Sequence, residues 1–494
     1  MFERFHGLVA ALVLVLGVIS SAETCSAERP PNVLMFAVDD LNDWVEPLGG
    51  HPNAQTPNMA ALAARGMTFT NAHCQSPLCN SSRSSLLFSM RPSTTGVYGL
   101  GPLPRDAATL KDRVSLPQYF QSKGYATYTA GKIFHYSGGR LKGDFQTIGP
   151  RGGPGITPPK KLVPPTPAGN NPWVDWGVFE HRDEDKQDHK VASWVIDRLG
   201  ELPEDQPFFM ACGFFLPHVP CHAPPKWWDR FEHESLLLPN VPAGDRDDCS
   251  PFSWYLHWNL PEPRIGWLRK HDQLRNLVHA YLACTTFSDH QLGRVLDALA
   301  ESPHADNTVI CLWGDHGWHL GEKDISGKNS LWEPSTRVPL IFAGPGVPQN
   351  VRTDSPAELL DVYPTLADLA LGQSPADIQG ESLRRQMRDP SVIRVRPAIT
   401  DHNPGNHGLR DQRFRLIRYA DGTEELYDVP NDPDERTNLI NDPKFAADAE
   451  RLRTFIPETS APLAPGSHSR ILENRDDGWY WEGKKIDPDN PPMK

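Results

Sequence analysis

At 494 residues the chain is long enough for a large core and more than one folded unit. Its formal net charge of −13 speaks against a nucleic-acid partner, which needs a broad basic face, but a local site can still bind a small anion. The 49 prolines lie among recurring apolar segments, a pattern of long ordered surface loops and not of disorder.

Arg4 precedes an apolar run over residues 8–19, followed by small residues. This predicts an export signal within residues 1–27, with cleavage after Ala22 or Ala27. The run is shorter than the roughly twenty residues a spanning helix needs, and no later segment is apolar enough to cross a bilayer. The expected product is secreted or periplasmic, without a stable membrane span. Eight cysteines, one of them in the signal region, are too few for a disulfide scaffold at this length.

The first mature element is NVLMFAV (32–38), a continuous apolar run with the pattern of a strand buried on both faces. It ends in Asp39-Asp40. An isolated Asp-Asp pair is usually a polar cap. At the carboxyl end of a buried strand, where open α/β sheets place their sites, it gains chemical meaning. Thr56-Pro57-Asn58 opens a short helix with a capping hydroxyl and Pro at the first helical position, and Gly66 follows its end.

Residues 76–92, SPLCNSSRSSLLFSMRP, read as a loop feeding a helix that Pro92 closes. Its first turn leaves N–H groups unpaired, and Arg83 adds a cationic fork, so an anion fits there. Cys79 sits beside both features, a setting that makes a cysteine reactive.

A further helix is expected over 115–123 and a strand over 125–130, from which Gly131-Lys132-Ile133-Phe134-His135 departs. Residues 137–172 are rich in Gly and Pro and predict a long loop, a wall or lid of the site, in which Arg151, Lys160 and Lys161 read first as exposed solubilising charges and only second as contacts for an anionic ligand. PFFMACGFFL (207–216) is another buried strand, followed by His218 between Pro217 and Pro220. A long helix covers 274–299. TVICLW (308–313) then ends in Gly314-Asp315-His316, the second acidic strand end, with Lys328 further on. Asp39, Asp40, Asp315 and His316 thus converge as an oxygen-rich ligand set suited to a hard divalent cation such as Ca²⁺. Beyond an amphipathic stretch at 358–371 the pattern shifts to short strands at 414–419 and 425–428, a helix at 444–455 and a Pro-rich tail.

PNVLMFAVDD, TPNMAALAARGMTFTNAHC, the CxxSR run, GKIFH, LPHVP, GDHGWHLGE with Lys328, and ELYDVPNDPDERTNL occur together in one order. In this the chain resembles the sulfatases of the alkaline-phosphatase superfamily, in particular iduronate-2-sulfatase-like enzymes. The resemblance implies an α/β fold with a large, mostly parallel mixed sheet between helices. It also implies a smaller C-terminal α+β subdomain with a short antiparallel sheet, and so a division into 1–27, 28–375 and 376–494. It implies conversion of Cys79 to formylglycine by a formylglycine-generating enzyme. That aldehyde hydrates to a diol; one hydroxyl attacks sulfur and the other helps expel sulfate. Asp39, Asp40, Asp315, His316 and the modified Cys79 would hold Ca²⁺. Arg83 would orient the nucleophile, and Lys132, Lys328 and His218 would bind the sulfate of a sulfated carbohydrate. His135 would act as base and His218 as leaving-group acid.

The chain departs from the family's Cys-x-Pro-Ser-Arg and Leu-Thr-Gly pattern, with Ser81 for the Pro and Phe88-Ser89 for the Thr-Gly. Two other readings stand beside the sulfatase. One is a phosphate or phosphonate ester hydrolase on the same scaffold. The other is a non-catalytic protein that binds sulfated glycans through an unconverted pocket.

Overall fold

A computed structural model describes residues 29–136 and 141–492, together with Met1. The expected export signal lies outside the described residues. Eight strands form the main sheet: β1 (Asn32–Val38), β2 (Gly66–Phe69), β3 (Ala126–Gly131), β4 (Thr147–Arg151), β5 (Phe208–Phe214), β6 (Thr308–Gly314), β7 (Leu340–Ala343) and β8 (Val351–Thr353). Their order is β8-β2-β7-β6-β1-β5-β3-β4, and β7 alone runs against the rest.

β1 shows why the sheet is buried on both sides. Val33, Met35 and Ala37 face one apolar cluster, while Leu34, Phe36 and Val38 face another. The first cluster includes α2 (Cys79–Phe88), α3 (Leu116–Ser122) and α6 (Val362–Leu371) through Leu86, Phe120 and Leu366. The second includes α1 (Pro57–Ala64), α4 (Gln187–Glu201) and α5 (Leu274–Glu301) through Met59, Val195 and Leu292. The result is a helix–sheet–helix sandwich.

The C-terminal part carries a four-stranded antiparallel sheet, β9 (Ala398–Asp401), β10 (His407–Arg410), β11 (Phe414–Arg418) and β12 (Glu424–Asp428). It packs on α7 (Ala446–Arg453) through Leu416, Leu426, Ala449 and Leu452. The expected α/β architecture with a smaller antiparallel sheet is what the chain adopts.

Three local expectations fail for identifiable reasons. The stretch read as one long loop contains β4, which pairs with β3 at the sheet edge; its TIGPR sequence is only half-buried and lacks an apolar signature. The Pro-rich tail folds into a small sheet of β13 (Leu472–Arg475), β14 (Gly478–Trp481) and β15 (Lys484–Lys485). Thr56 does not cap α1: its hydroxyl accepts from Glu46 N at 2.8 Å. The carboxylate of Asp289, on α5, instead takes the N–H groups of Asn58 and Met59 at 3.1 and 2.8 Å.

Candidate active site

β6, β1, β5 and β3 are adjacent and parallel, so their carboxyl ends open on one edge of the sheet. There they deliver Asp39 and Asp40 (β1), Asp315 and His316 (β6), His218 (β5), and Lys132 and His135 (β3), the placement expected from the sequence. The close approach of β3 and β5 requires glycine. Gly131 has φ +78°, and a Cβ there would lie 1.8 Å from the Gly213 carbonyl oxygen. The same oxygen accepts from Lys132 N at 2.9 Å.

The helix α2 faces this edge with its first residue. Leu78 is extended at φ −157° and Cys79 opens the helix, nearly completely buried. The Cys79 Sγ lies 3.2 Å from His316 Nε2, 3.2 Å from Lys328 Nζ and 3.8 Å from Asp40 Oδ1, and it also meets the His135 ring. Burial pushes the thiol up, but Lys132, Lys328 and His316 outweigh it and hold the group well below the usual thiol range.

One turn along α2, Arg83 has no exposed surface. Its Nε donates to Asp315 Oδ2 at 2.7 Å, Nη2 to Asp39 Oδ1 at 3.0 Å, and Nη1 to the carbonyls of Lys132 and Ile133. A single guanidinium thus ties three strand ends together.

The charges nearly cancel: carboxylates of Asp39, Asp40 and Asp315 face Arg83, Lys132 and Lys328. Lys132 Nζ donates to Asp39, and Lys328 Nζ to Asp40 Oδ1 at 2.7 Å. Burial alone would raise the Asp39 carboxyl; Lys132, with His218 and Arg83, holds it well below the carboxylate range. Burial dominates for Asp315, pushed up to about 6. For His316, burial opposes but Asp315 prevails, and the imidazole rises to about 9.

Ligand geometry is also prepared. His316 Nδ1 bonds the Gly317 carbonyl at 2.9 Å, which leaves Nε2 facing Cys79 and Asp40. Asp40 adopts a left-handed φ of 57°, and Asp40 Oδ2 is buried without a hydrogen-bond partner. Ligating atoms of Asp39, Asp40, Cys79 and His218 lie within 4.8 Å of one another, as do those of Cys79, Asp315 and His316.

A hollow of 490 Å³ opens above this cluster. Cys79, Lys132, His135, His218 and Lys328 line it, whereas Arg83, Asp39, Asp40, Asp315 and His316 lie sealed beneath its floor. His218 is anchored through Nδ1 to the Val219 carbonyl at 2.5 Å, with Nε2 3.8 Å from Asp40 Oδ2. Burial lowers the His218 pKa, but Asp40 more than compensates and the net shift is upward. For His135 burial prevails and the shift is downward. A larger hollow of 870 Å³, behind α2 at Phe88, contains none of these residues.

Several contributors escape sequence reading. Tyr281 on α5 donates to the Asp40 carbonyl at 2.7 Å and accepts from Asn42 N at 3.0 Å, fixing the left-handed turn. Asp188 on α4 accepts from Phe215 N and Leu216 N at 2.8 and 2.9 Å, steadying the segment that carries His218. Neither has a local motif. The side chains of Trp173, Glu262 and Arg470 join the wall of the hollow from distant parts of the chain.

A hollow lined by Lys132 and Lys328 over buried carboxylates, at the carboxyl edge of a parallel sheet, is the arrangement of an enzyme site on an α/β sandwich. Residues 31–372 match the family model described as Sulfatase, and residues 314–461 match that of the N-sulphoglucosamine sulphohydrolase C-terminal region. The chain belongs to the sulfatase family of sulfuric ester hydrolases. A sulfatase of Formosa agariphila is 40% identical over 453 residues, covering 87% of each chain. Human iduronate 2-sulfatase is 30% identical, over 69% of this chain and 64% of that one. The phosphonate monoester hydrolase of Silicibacter pomeroyi has the same fold, with a TM-score of 0.70 at 22% identity over 92% of this chain and all of that one. Among the described residues no helix is long and apolar enough to cross a membrane.

Proposed function

We propose that this sulfatase releases inorganic sulfate from a sulfated carbohydrate, in the manner of iduronate-2-sulfatase-like enzymes, using formylglycine made from Cys79 and a bound calcium ion. The observation that carries the reading is the setting of Cys79: first residue of a buried helix, 3.2 Å from both Lys328 Nζ and His316 Nε2, at the base of the hollow. Likeness to human iduronate 2-sulfatase supports the substrate class.

The residues fit both groups. Asp39, Asp40, Asp315, His316 and the oxidised Cys79 offer a hard, mostly oxygen donor set, and the orphaned Asp40 Oδ2 is the atom such a cation would satisfy. Calcium would supply positive charge for the ester oxygens and lower the cost of ionising the nucleophile. Formylglycine would supply a hydrated aldehyde as nucleophile, with a second hydroxyl through which sulfate can leave.

The chain's own side chains account for the rest. Lys132 and Lys328, both lining the hollow, bind sulfate oxygens. Arg83 is a positioning residue that aligns Asp39 and Asp315. His218, held through Nδ1, presents Nε2 and donates a proton to the departing alcohol oxygen. His135 accepts the proton released as sulfate leaves. The net reaction consumes one water and yields an alcohol, sulfate and a proton. Maturation requires the formylglycine-generating enzyme as a partner, and export to the periplasm or medium follows from the N-terminal signal. Residues 28–375 form the catalytic unit and 376–494 the C-terminal subdomain.

The test is mass spectrometry of the tryptic peptide Gly66 to Arg83 from a host with the converting enzyme, with Cys74 as internal control. Loss of the Cys79 thiol to an aldehyde is expected. Cys79→Ala should abolish sulfate release without altering the unfolding midpoint, and chelation should lower both turnover and midpoint. Full turnover by Cys79→Ala would overturn the mechanism. A preference for paired phosphate over sulfate esters would favour the phosphohydrolase reading.

A further inference from the structure

The catalytic hollow does not stand alone. Across Gly152, Gly153 and Trp173 it shares a wall with a second hollow of 790 Å³, and across Pro261, Glu262 and Arg470 with a third of 240 Å³. Cys79 lines the central one only, and the two outer hollows share no lining residue with each other.

The two dividing walls are built differently, and each carries a group with the chemistry of sugar recognition. On one side Trp173 is 53% exposed, although it borders the 490, 790 and 290 Å³ hollows. Its backbone N donates to Asn171 Oδ1 at 3.0 Å, so the turn that presents the indole is fixed. An indole open to water on a wall shared by three hollows is a stacking platform for the C–H face of a sugar ring. The hollow beyond it displays Arg151 and Lys190, both exposed and neither ion-paired among the described residues.

On the other side stands Arg470. Ser469 and Arg470 both adopt left-handed backbone conformations, φ 60° and 68°, without being glycine. Such strain persists only where surroundings enforce it. Here Asn403 Nδ2 donates to the Arg470 carbonyl at 3.1 Å, and Arg470 N donates to Glu482 Oε1 at 2.7 Å. The residue lines both hollows; its Nε is buried without a hydrogen bond, while Nη1 pairs loosely with Glu482 Oε1 at 3.8 Å. A guanidinium held this way reads a carboxylate or sulfate on a neighbouring sugar.

We propose that the three hollows form one cleft, that Trp173 and Arg470 bound sugar subsites on either side of the reacting residue, and that the enzyme removes sulfate from internal residues of an anionic polysaccharide. The proposal rests on the sulfatase reading and extends it to the substrate. In the reaction the bond between sulfur and the ester oxygen breaks and water supplies the new oxygen on sulfur. The polymer retains a hydroxyl there, and no glycosidic bond is cut.

The calcium-loaded, converted enzyme is given intact heparin, ulvan and iota-carrageenan, with 4-nitrophenyl sulfate as the small ester. Released sulfate is counted per polymer chain by ion chromatography, and chain length is followed by size exclusion. An enzyme confined to chain ends and specific for one position releases at most one sulfate per chain. The expected result is many sulfates per chain from at least one polymer, at unchanged chain length. In Trp173→Ala, and in the exposed double variant Arg151→Glu/Lys190→Glu, the ratio of kcat/KM on that polymer to kcat/KM on the small ester should fall about tenfold, equivalent to ~1.4 kcal/mol. Turnover of 4-nitrophenyl sulfate with no more than one sulfate per chain from every polymer overturns the cleft and leaves the sulfatase reading standing. An unchanged ratio in both variants also overturns it. No release from any of the four substrates overturns the sulfatase reading itself.

Discussion

Gly131→Ala isolates the backbone contact on which the site depends. The added Cβ would lie 1.8 Å from the Gly213 carbonyl oxygen and 2.7 Å from its carbon. Both are main-chain atoms of the adjacent strand β5, so no side chain can swing away, and β3 and β5 must separate. Separation weakens the 2.9 Å bond from Lys132 N to the same oxygen and moves the Lys132 carbonyl, which accepts from Arg83. A left-handed alanine costs about 1–2 kcal/mol, forced overpacking about 1–3 and the strained hydrogen bond about 1. The expected loss is roughly 3–6 kcal/mol, a large part of the stability of a typical domain. It should appear in urea unfolding followed by tryptophan fluorescence. Sulfate release by the folded fraction should fall at least tenfold, because Lys132 and Arg83 are displaced together. A loss below about 1 kcal/mol with turnover within twofold of wild type would refute the argument, since the overlap leaves no unstrained alternative.

Ser89→Gly should destabilise the protein by about 1–3 kcal/mol in the same assay, although Ser89 has a left-handed φ of 51° that glycine adopts freely. The hydroxyl donates to the Leu360 carbonyl at 2.7 Å and accepts from Gly380 N at 3.0 Å, and the substitution removes both bonds, one at a buried and one at a half-buried group; a rise in stability would show that backbone strain outweighs those bonds. Burial pushes the Asp188 carboxyl up from 3.8 to about 7, its bonds from Leu216 and Phe215 only partly offsetting this. Between about pH 4 and 7 the folded state therefore keeps a proton that the unfolded chain has lost, so this group's contribution is full at low pH and lost as pH rises through 7. Wild type minus Asp188→Asn stability should fall by at most roughly 4 kcal/mol between pH 4 and pH 8, and parallel profiles would refute the assignment.

The active-site edge was legible because its strands are short apolar runs that stop abruptly at charge. NVLMFAV before Asp39-Asp40 and TVICLW before Gly314-Asp315-His316 mark both the strand and its functional end. Parallel pairing of β6, β1, β5 and β3 then brought the predicted residues together without any local signal for the pairing itself. What could not be read depends on partners far away in the chain. The cap of α1 comes from Asp289, the turn at Asp40 from Tyr281, and the support for the His218 segment from Asp188. β4 was missed because an edge strand with one half-buried face needs no apolar run. Arg470 was missed because its position is set by Asn403 and Glu482 and not by neighbouring sequence.

The departures at Ser81, Phe88 and Ser89 separate two demands that one motif must meet. For the folded helix they are well accommodated. Ser81 is the third residue of α2, where the N–H has no intrahelical acceptor, so proline and serine are both compatible with the turn. The serine hydroxyl lies within hydrogen-bond reach of Ser76 Oγ at 2.7 Å and of the Leu78 carbonyl at 3.1 Å. The Phe88 ring is buried against Phe134 at 6.4 Å, with the Arg105 guanidinium 4.8 Å from its centroid. Ser89 takes a left-handed position that glycine would adopt freely and is fastened by its own hydroxyl. The proposed converting enzyme, by contrast, would read the segment as an extended peptide before these contacts form, and proline's restricted φ favours that shape. Substitutions that strengthen the native helix therefore contribute nothing to recognition at the earlier step. The mass of the Gly66 to Arg83 peptide responds to the extended segment alone, and the unfolding midpoint of Ser89→Gly responds to the folded helix alone.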